Sequence, residues 1–176
     1  MMASTNGSDG TTAPAPIFSV GDKAVHPSHG VGEVTGLEER ELSGRAATIY
    51  VLKIIDTGLK VMVPMEAAAR VGLRRVMQAD QAEEIFEILK APEVAVDVQP
   101  WSRRFRAYTE MLKSGLPTEI AKVLRDMYRL KFDKDLSFGE RRLLDQARSL
   151  LVQELALAKG VAPDSIEGQI KLILSA

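Results

Sequence analysis

The chain has 176 residues, a net charge of −1, 45% hydrophobic and 27% charged residues, and no cysteine. That composition suits a globular protein with one good core or two small ones, and it excludes disulfides, thiolate zinc sites and a cysteine nucleophile. No apolar run approaches the roughly 20 residues that span a bilayer, and the N-terminus lacks the charged start and apolar stretch of a signal peptide, so a cytoplasmic protein is expected.

The chain opens on residues 1–16, which are Ser, Thr, Gly, Ala and Pro with almost no bulky apolar side chain. They cannot bury enough surface to offset ordering entropy, and they are expected to be disordered. From Ile17 to about residue 76 the pattern is β. Lys23 to Pro27 reads as a short strand ended by proline. Gly30 to Leu37 alternates, with glycines that suggest a bulge or barrel corner. Ser43-Gly44 turns the chain into the β-branched run Ala47 to Ile54, and Thr57-Gly58 turns it again into Leu59 to Pro64. Several short strands within about 60 residues predict a small, strongly curved sheet or barrel. Pro64 to Arg70 can form one helical turn before Val71-Gly72 ends it.

After residue 77 the period becomes helical. Asp80 is placed as the cap of a helix through Lys90, with Ile85, Phe86 and Leu89 inward. The stretch from Pro92 to Pro100 reads as a linker. A helix from Trp101 to Lys113 carries the apolar stripe Phe105, Tyr108, Met111 and Leu112, and Ser114-Gly115 stops it. Pro117 starts the next, with Ile120, Val123, Leu124 and Met127 on one face. Ser137-Phe138-Gly139-Glu140 has capping-box spacing. It opens a long helix with Leu143, Leu144, Ala147, Leu150, Leu151 and Leu155, stopped by Gly160. A last helix from Pro163 carries Ile166, Ile170, Leu172 and Ile173. The expected fold is α+β in two domains: a small curved β domain over 17–76 and a compact all-α bundle over 77–176.

Charge divides the chain in the same way. Residues 1–100 carry 9 Lys/Arg against 14 Asp/Glu, whereas 101–148 carry 12 against 7. Such asymmetry suggests separate partners for the two parts. The basic stretch contains the only tryptophan, in Pro100-Trp101-Ser102-Arg103-Arg104-Phe105-Arg106. Arginines meet phosphates and a flat ring can wedge between base pairs, although a lone tryptophan is also an ordinary core residue. Trp101 falls in a first helical turn, where partial exposure is expected. Arg103 and Arg106 share a face, with Arg104 about a hundred degrees away. Arg141 and Arg148 lie on one side of the long helix, with Arg142 next to them. A cation in a first turn opposes the helix dipole, a small cost that a phosphate contact or simple solubility would explain.

Catalysis finds little support. His26 and His29 are the only histidines, and neither a cysteine nor a nearby carboxylate completes a metal site. Ser28 lacks an orienting carboxylate for a triad, and no glycine-rich phosphate loop is present. The expectation is a protein that is not an enzyme, with no metal, no cofactor and no small-molecule substrate.

Several segments together carry a resemblance. Ile17 to Gly30, Tyr50-Val51-Leu52-Lys53, Val61-Met62-Val63-Pro64 and Val71-Gly72-Leu73-Arg74 lie in the β part. Trp101 to Arg106, Leu136 to Arg142 and Leu151 to Ala156 lie in the helical part. In these motifs the chain resembles the CarD/CdnL family of bacterial transcription regulators, from residue 17 to about 174. The resemblance implies a Tudor-like N-terminal domain that binds the β subunit of RNA polymerase and a helical domain that contacts promoter DNA. In that family the tryptophan enters the minor groove at the upstream edge of the −10 element and holds the bubble open for the housekeeping sigma holoenzyme. It implies that Trp101 is the wedge, that Arg106 and Arg141 meet DNA with Arg104 in support, and that Arg103, Arg142 and Arg148 extend the basic surface. For polymerase it implies Arg40 and the run Val61, Met62, Val63 and Pro64, with Met62 where some members have arginine. The stand-alone form without a basic tail is expected, as a monomer that joins the nucleoid through polymerase. A protein adaptor without DNA contact and an RNA-binding module are the competing readings.

Overall fold

A computed structural model describes residues 17–92 and 100–175; the predicted disordered segment 1–16 and most of the predicted linker lie outside them. Five strands form one antiparallel sheet in the order β4-β3-β2-β1-β5. They are β1 (Lys23–His26), β2 (Gly30–Leu42), β3 (Arg45–Ile54), β4 (Lys60–Pro64) and β5 (Arg74–Arg75). The register of β2 on β3 shifts between Val34 and Gly36, so the glycine-rich strand carries the predicted bulge. β2 and β3 run further than expected and make a long hairpin whose tip, Ser43-Gly44, has both residues at positive φ. β5 carries no alternation of its own and was not foreseen; it exists because Arg74 and Arg75 pair with Val25 and Ala24.

After β4 the chain makes a 3₁₀ turn (Met65–Ala67) and the short helix α1 (Ala68–Val71), ended by Gly72 in the left-handed conformation. The helical half contains α2 (Ala79–Lys90), α3 (Trp101–Lys113), α4 (Pro117–Asp133), α5 (Phe138–Lys159) and α6 (Pro163–Leu174). α2 is capped by Gln78, not Asp80: the Gln78 N–H donates to the Gln81 side chain at 2.8 Å, and Asp80 is the second residue of the helix, exposed in its first turn. The capping box of α5 forms as expected, with Glu140 N–H donating to Ser137 Oγ at 3.2 Å and Ser137 N–H to Glu140 Oε1 at 3.0 Å. Leu172 departs from the predicted stripe of α6; it is 76% exposed, and Leu174 takes the inward place beside Ile166 and Ile170.

Two cores result. Phe18, Ala24, Val34, Tyr50, Leu52 and Val63 fill the β half. The helices close around Leu89, Leu124, Met127, Leu151, Leu155 and Ile166. The halves are joined by a buried ion pair. Arg74 holds Glu154, which is 2% exposed, through Nη1–Oε2 at 2.6 Å and Nη2–Oε1 at 2.7 Å. The same guanidinium donates to the Gly115 carbonyl at 3.0 Å, and Met77 N–H donates to Glu154 Oε2 at 2.9 Å. Pro27 packs so closely on Gly115 that a Cβ there would lie 2.8 Å from the proline Cβ. A bidentate, fully hydrogen-bonded pair of this kind fixes an orientation more surely than a sliding apolar contact does.

Candidate nucleic-acid interface

Pro100 is extended, at φ −54° and ψ 143°, and its carbonyl accepts from Arg103 and Arg104, so α3 begins at Trp101. As the first residue of the helix, Trp101 has no helical turn before it to pack on, and its ring is half-buried against the helical core. It meets Phe105 edge-on at 6.4 Å between centroids and Tyr108 at 6.3 Å. Two cations flank it: Arg104 Cζ lies 5.3 Å and Lys134 Nζ 5.4 Å from the ring centroid. Arg104 also donates to the Tyr108 hydroxyl at 3.4 Å, and that hydroxyl donates to Asp126 Oδ2 at 2.9 Å. Burial pushes the Tyr108 hydroxyl above its ordinary pKa; the Arg104 hydrogen bond opposes this and Asp126 adds to it.

The N-terminus of α5 lies against the same cluster. A Cβ on Gly139 would stand 3.2 Å from the Phe105 ring, a tight contact, so the glycine eases the close approach of α3 and the first turn of α5. Lys134 bridges the two helices by donating to Glu140 Oε1 at 3.0 Å. Glu140 is 1% exposed. Burial raises its carboxyl, but the Ser137 N–H, the Lys134 ammonium and the Ser137 hydroxyl outweigh that and hold it below the ordinary value.

Around this cluster the basic residues split. Arg103, Arg106, Arg141 and Arg142 are exposed. Arg141 leans back to donate to the Leu136 carbonyl at 3.3 Å, and Arg148, further along α5, pairs with Asp145 at 3.3 Å. Arg104 turns inward onto the ring. Phe138, the first residue of α5, is 83% exposed.

On the sheet, β alternation divides the predicted polymerase contacts. Gly36, Glu38 and Arg40 pair with Val51, Ile49 and Ala47, and Val51 and Ile49 pair with Met62 and Pro64. Arg40, Met62 and Pro64 therefore share one face of the sheet, and Arg40 is ion-paired to Glu38 at 2.9 Å. Val61 and Val63 point to the opposite face, where Val63 is buried in the core. A shallow groove of about 420 Å³ on the Arg40 face is lined by Gly36, Glu38, Val51, Lys53 and Lys60. β4 is an edge strand, with one side of its backbone unpaired among the described residues.

The family profile "CarD-like/TRCF RID domain" matches residues 18–77, and "CarD, C-terminal domain" matches residues 84–171. The chain belongs to the CarD family. It is 30% identical over 151 residues to the "Putative transcription factor YdeB" of Bacillus subtilis (strain 168), across 86% of this chain and 98% of that protein. The solved structure of CdnLNt from Myxococcus xanthus shares 45% identity with 34% of the chain, covering 84% of that structure at a TM-score of 0.30.

In this CarD-family chain the Trp101 site draws on α3, the C-cap of α4 and the first turn of α5, three segments separated in sequence. Arg103 and Arg106 are exposed on α3, and Arg141 and Arg142 are exposed on the first turns of α5. Arg148 lies further along α5, lining a small cleft with Tyr128, Lys131 and Lys171. Sequence reading missed Lys134 and Phe138. Phe138 had a signal: it falls five residues before Leu143, about 140° off the inward stripe. Lys134 had none, because its reach to Trp101 depends on how α4 ends. The His26 and His29 rings lie 4.8 Å apart between centroids, tilted by 47°, and burial together with the neighbouring His29 keeps His26 below its ordinary pKa. Among the described residues no group of three or more metal-ligating side chains surrounds them.

Proposed function

We propose that this CarD-family transcription factor binds RNA polymerase and promoter DNA together and stabilises the open complex. The observation that carries the reading is the partly buried Trp101, the only tryptophan, with cations on its ring and four exposed arginines on the two helices that meet beside it. Unstacking a base step costs a few kcal/mol, and an aromatic ring inserted at the step offsets it. Arg103, Arg106, Arg141 and Arg142 meet the flanking phosphates, Phe138 adds apolar surface beside them, and Arg148 extends the basic track. Minor-groove entry at the upstream edge of the −10 element is the family's mode, adopted here.

The polymerase β subunit is met by the sheet face of Arg40, Met62 and Pro64 and by the free edge of β4, an arrangement suited to strand addition. Val61 and Val63 then act from beneath, holding that strand flat. A handful of phosphate contacts alone binds duplex DNA weakly, and tethering through polymerase raises the local concentration enough for a weak DNA element to suffice. One copy per polymerase satisfies this scheme, which needs no catalysis, works in the cytoplasm and reaches the nucleoid through polymerase.

The deciding experiment is the lifetime of the promoter open complex with Trp101→Ala. A fall of about tenfold with unchanged binding to the β subunit is expected, the scale of one lost base stack. An unchanged lifetime sinks the wedge and leaves an adaptor. Preference for single-stranded RNA over forked promoter DNA in competition would favour the RNA-binding reading.

A further inference from the structure

Lys134 is the C-cap of α4. Its backbone turns extended, at φ −157° and ψ 166°, after its N–H donates to the Leu130 carbonyl. From this C-cap position the side chain reaches both α3 and α5. There the ammonium contacts two things at once: the face of Trp101 at 5.4 Å and Glu140 Oε1 at 3.0 Å. Glu140 cannot drift, because it is buried and its Oε1 is also fixed by the Ser137 N–H in the cap of α5. Its other oxygen, Oε2, is buried with no hydrogen-bond partner among the described residues. Among the described residues Lys134 is the only cation ion-paired to this carboxylate. The Lys134 side chain is half exposed, and the ion pair to a buried carboxylate ties its ammonium to one place beside the tryptophan ring.

We infer that Lys134 is a positioning residue: anchored on Glu140, it holds the Trp101 ring in register with the first turn of α5, where Phe138 and Arg141 lie. The inference rests on the wedge reading for its functional consequence, but the placement of the ring is measurable without DNA or polymerase. A wedge must arrive in one orientation relative to the arginines that grip the backbone. Here Ser137, Glu140, Lys134 and Trp101 form a continuous set of contacts from the α5 cap to the ring.

The test uses the full chain, whose single tryptophan makes fluorescence specific. Lys134→Met should raise acrylamide quenching of Trp101 and lower its anisotropy, and Lys134→Arg should restore both. The double variant K134M/E140Q should show the same freed ring while removing the buried lone carboxylate, so that lost stability does not stand in for lost positioning. Open-complex lifetime should fall about twofold to fivefold in Lys134→Met, the factor a surface cation–π contact supplies. In a Trp101→Ala background the same change should have no further effect, and the salt dependence of DNA binding should stay as in the parent. Unchanged quenching and anisotropy in both Lys134→Met and the double variant overturn the inference. So does a lifetime effect that persists without Trp101, which would make Lys134 a separate DNA contact. If Trp101→Ala alone leaves the lifetime unchanged, the wedge fails, and the fluorescence still decides whether Lys134 places the ring.

Discussion

Arg104 and Arg106 are two residues apart and live in different surroundings. Arg104 is half-buried, bonded to Tyr108 and laid over Trp101; Arg106 points to solvent. Their substitutions should therefore be told apart by salt. Arg106→Ala should weaken binding to a forked promoter and lower the slope of log affinity against log salt by about 1, as the loss of one phosphate contact does. Arg104→Ala should leave the slope near the parent's and alter Trp101 emission. Glu140 supplies a second test at this scale. Its carboxyl is held below the ordinary value of 4.5, so its contribution to stability is present above that value and is lost as pH falls through the lower folded one. Unfolding curves for the parent should lose stability steeply below about pH 4.5, and Glu140→Gln should flatten that limb. The residue types of this site were legible in the sequence as an aromatic amid arginines. Which cation turns inward was not, because that depends on Tyr108 and Asp126, which come from different helices.

Elements followed the sequence where local chemistry suffices. The Ser137 box, Gly160 at a left-handed C-cap and Pro117 at the start of α4 each satisfy or remove terminal backbone groups within one turn. Ser137→Ala should lower stability by about 1 kcal/mol in thermal or denaturant unfolding, the usual value of an N-cap. It should also loosen Glu140. Where local signals compete, packing decides. Asp80 is a better capping residue than Gln78 by type, but the helix starts where Gln81 can reach back. Leu172 looked inward by spacing, yet α6 packs through Ile166, Ile170 and Leu174, so Leu172→Lys should change stability by less than about 0.5 kcal/mol. In sequence the run 61–64 is one contact segment. Strand alternation makes it two faces.

At the scale of the molecule, the joint between the halves sets the geometry of any bivalent clamp. Arg74 and Glu154 are 80 residues apart and carry no mutual signal in sequence. Breaking the pair leaves a buried carboxylate without its cation. Arg74→Met should therefore cost about 3–5 kcal/mol in denaturant unfolding, whereas replacing both residues by apolar ones of similar size should cost much less. Gly115→Ala should also destabilise the joint, since the residue is at φ +69° and its Cβ would strike Pro27. If the two partners are engaged together, a loosened joint lowers the effective concentration of one site for the other. Open-complex lifetime should then fall in Arg74→Met even at temperatures where it stays folded.

Periods, caps, turns and the division of charge are short-range properties, set by neighbours within about seven residues, and from them the α+β architecture, the bulge in β2 and the limits of α3 could be read directly. Surroundings are a different matter. The pairing of Arg74 with Glu154, the inward turn of Arg104 and the reach of Lys134 to Trp101 arise only when elements distant in the chain are packed together. Burial and low dielectric then decide which charges must find partners. Trp101 stands at the boundary between the two. Its place in the first turn of α3 was local, and what holds its ring there belongs to the tertiary structure.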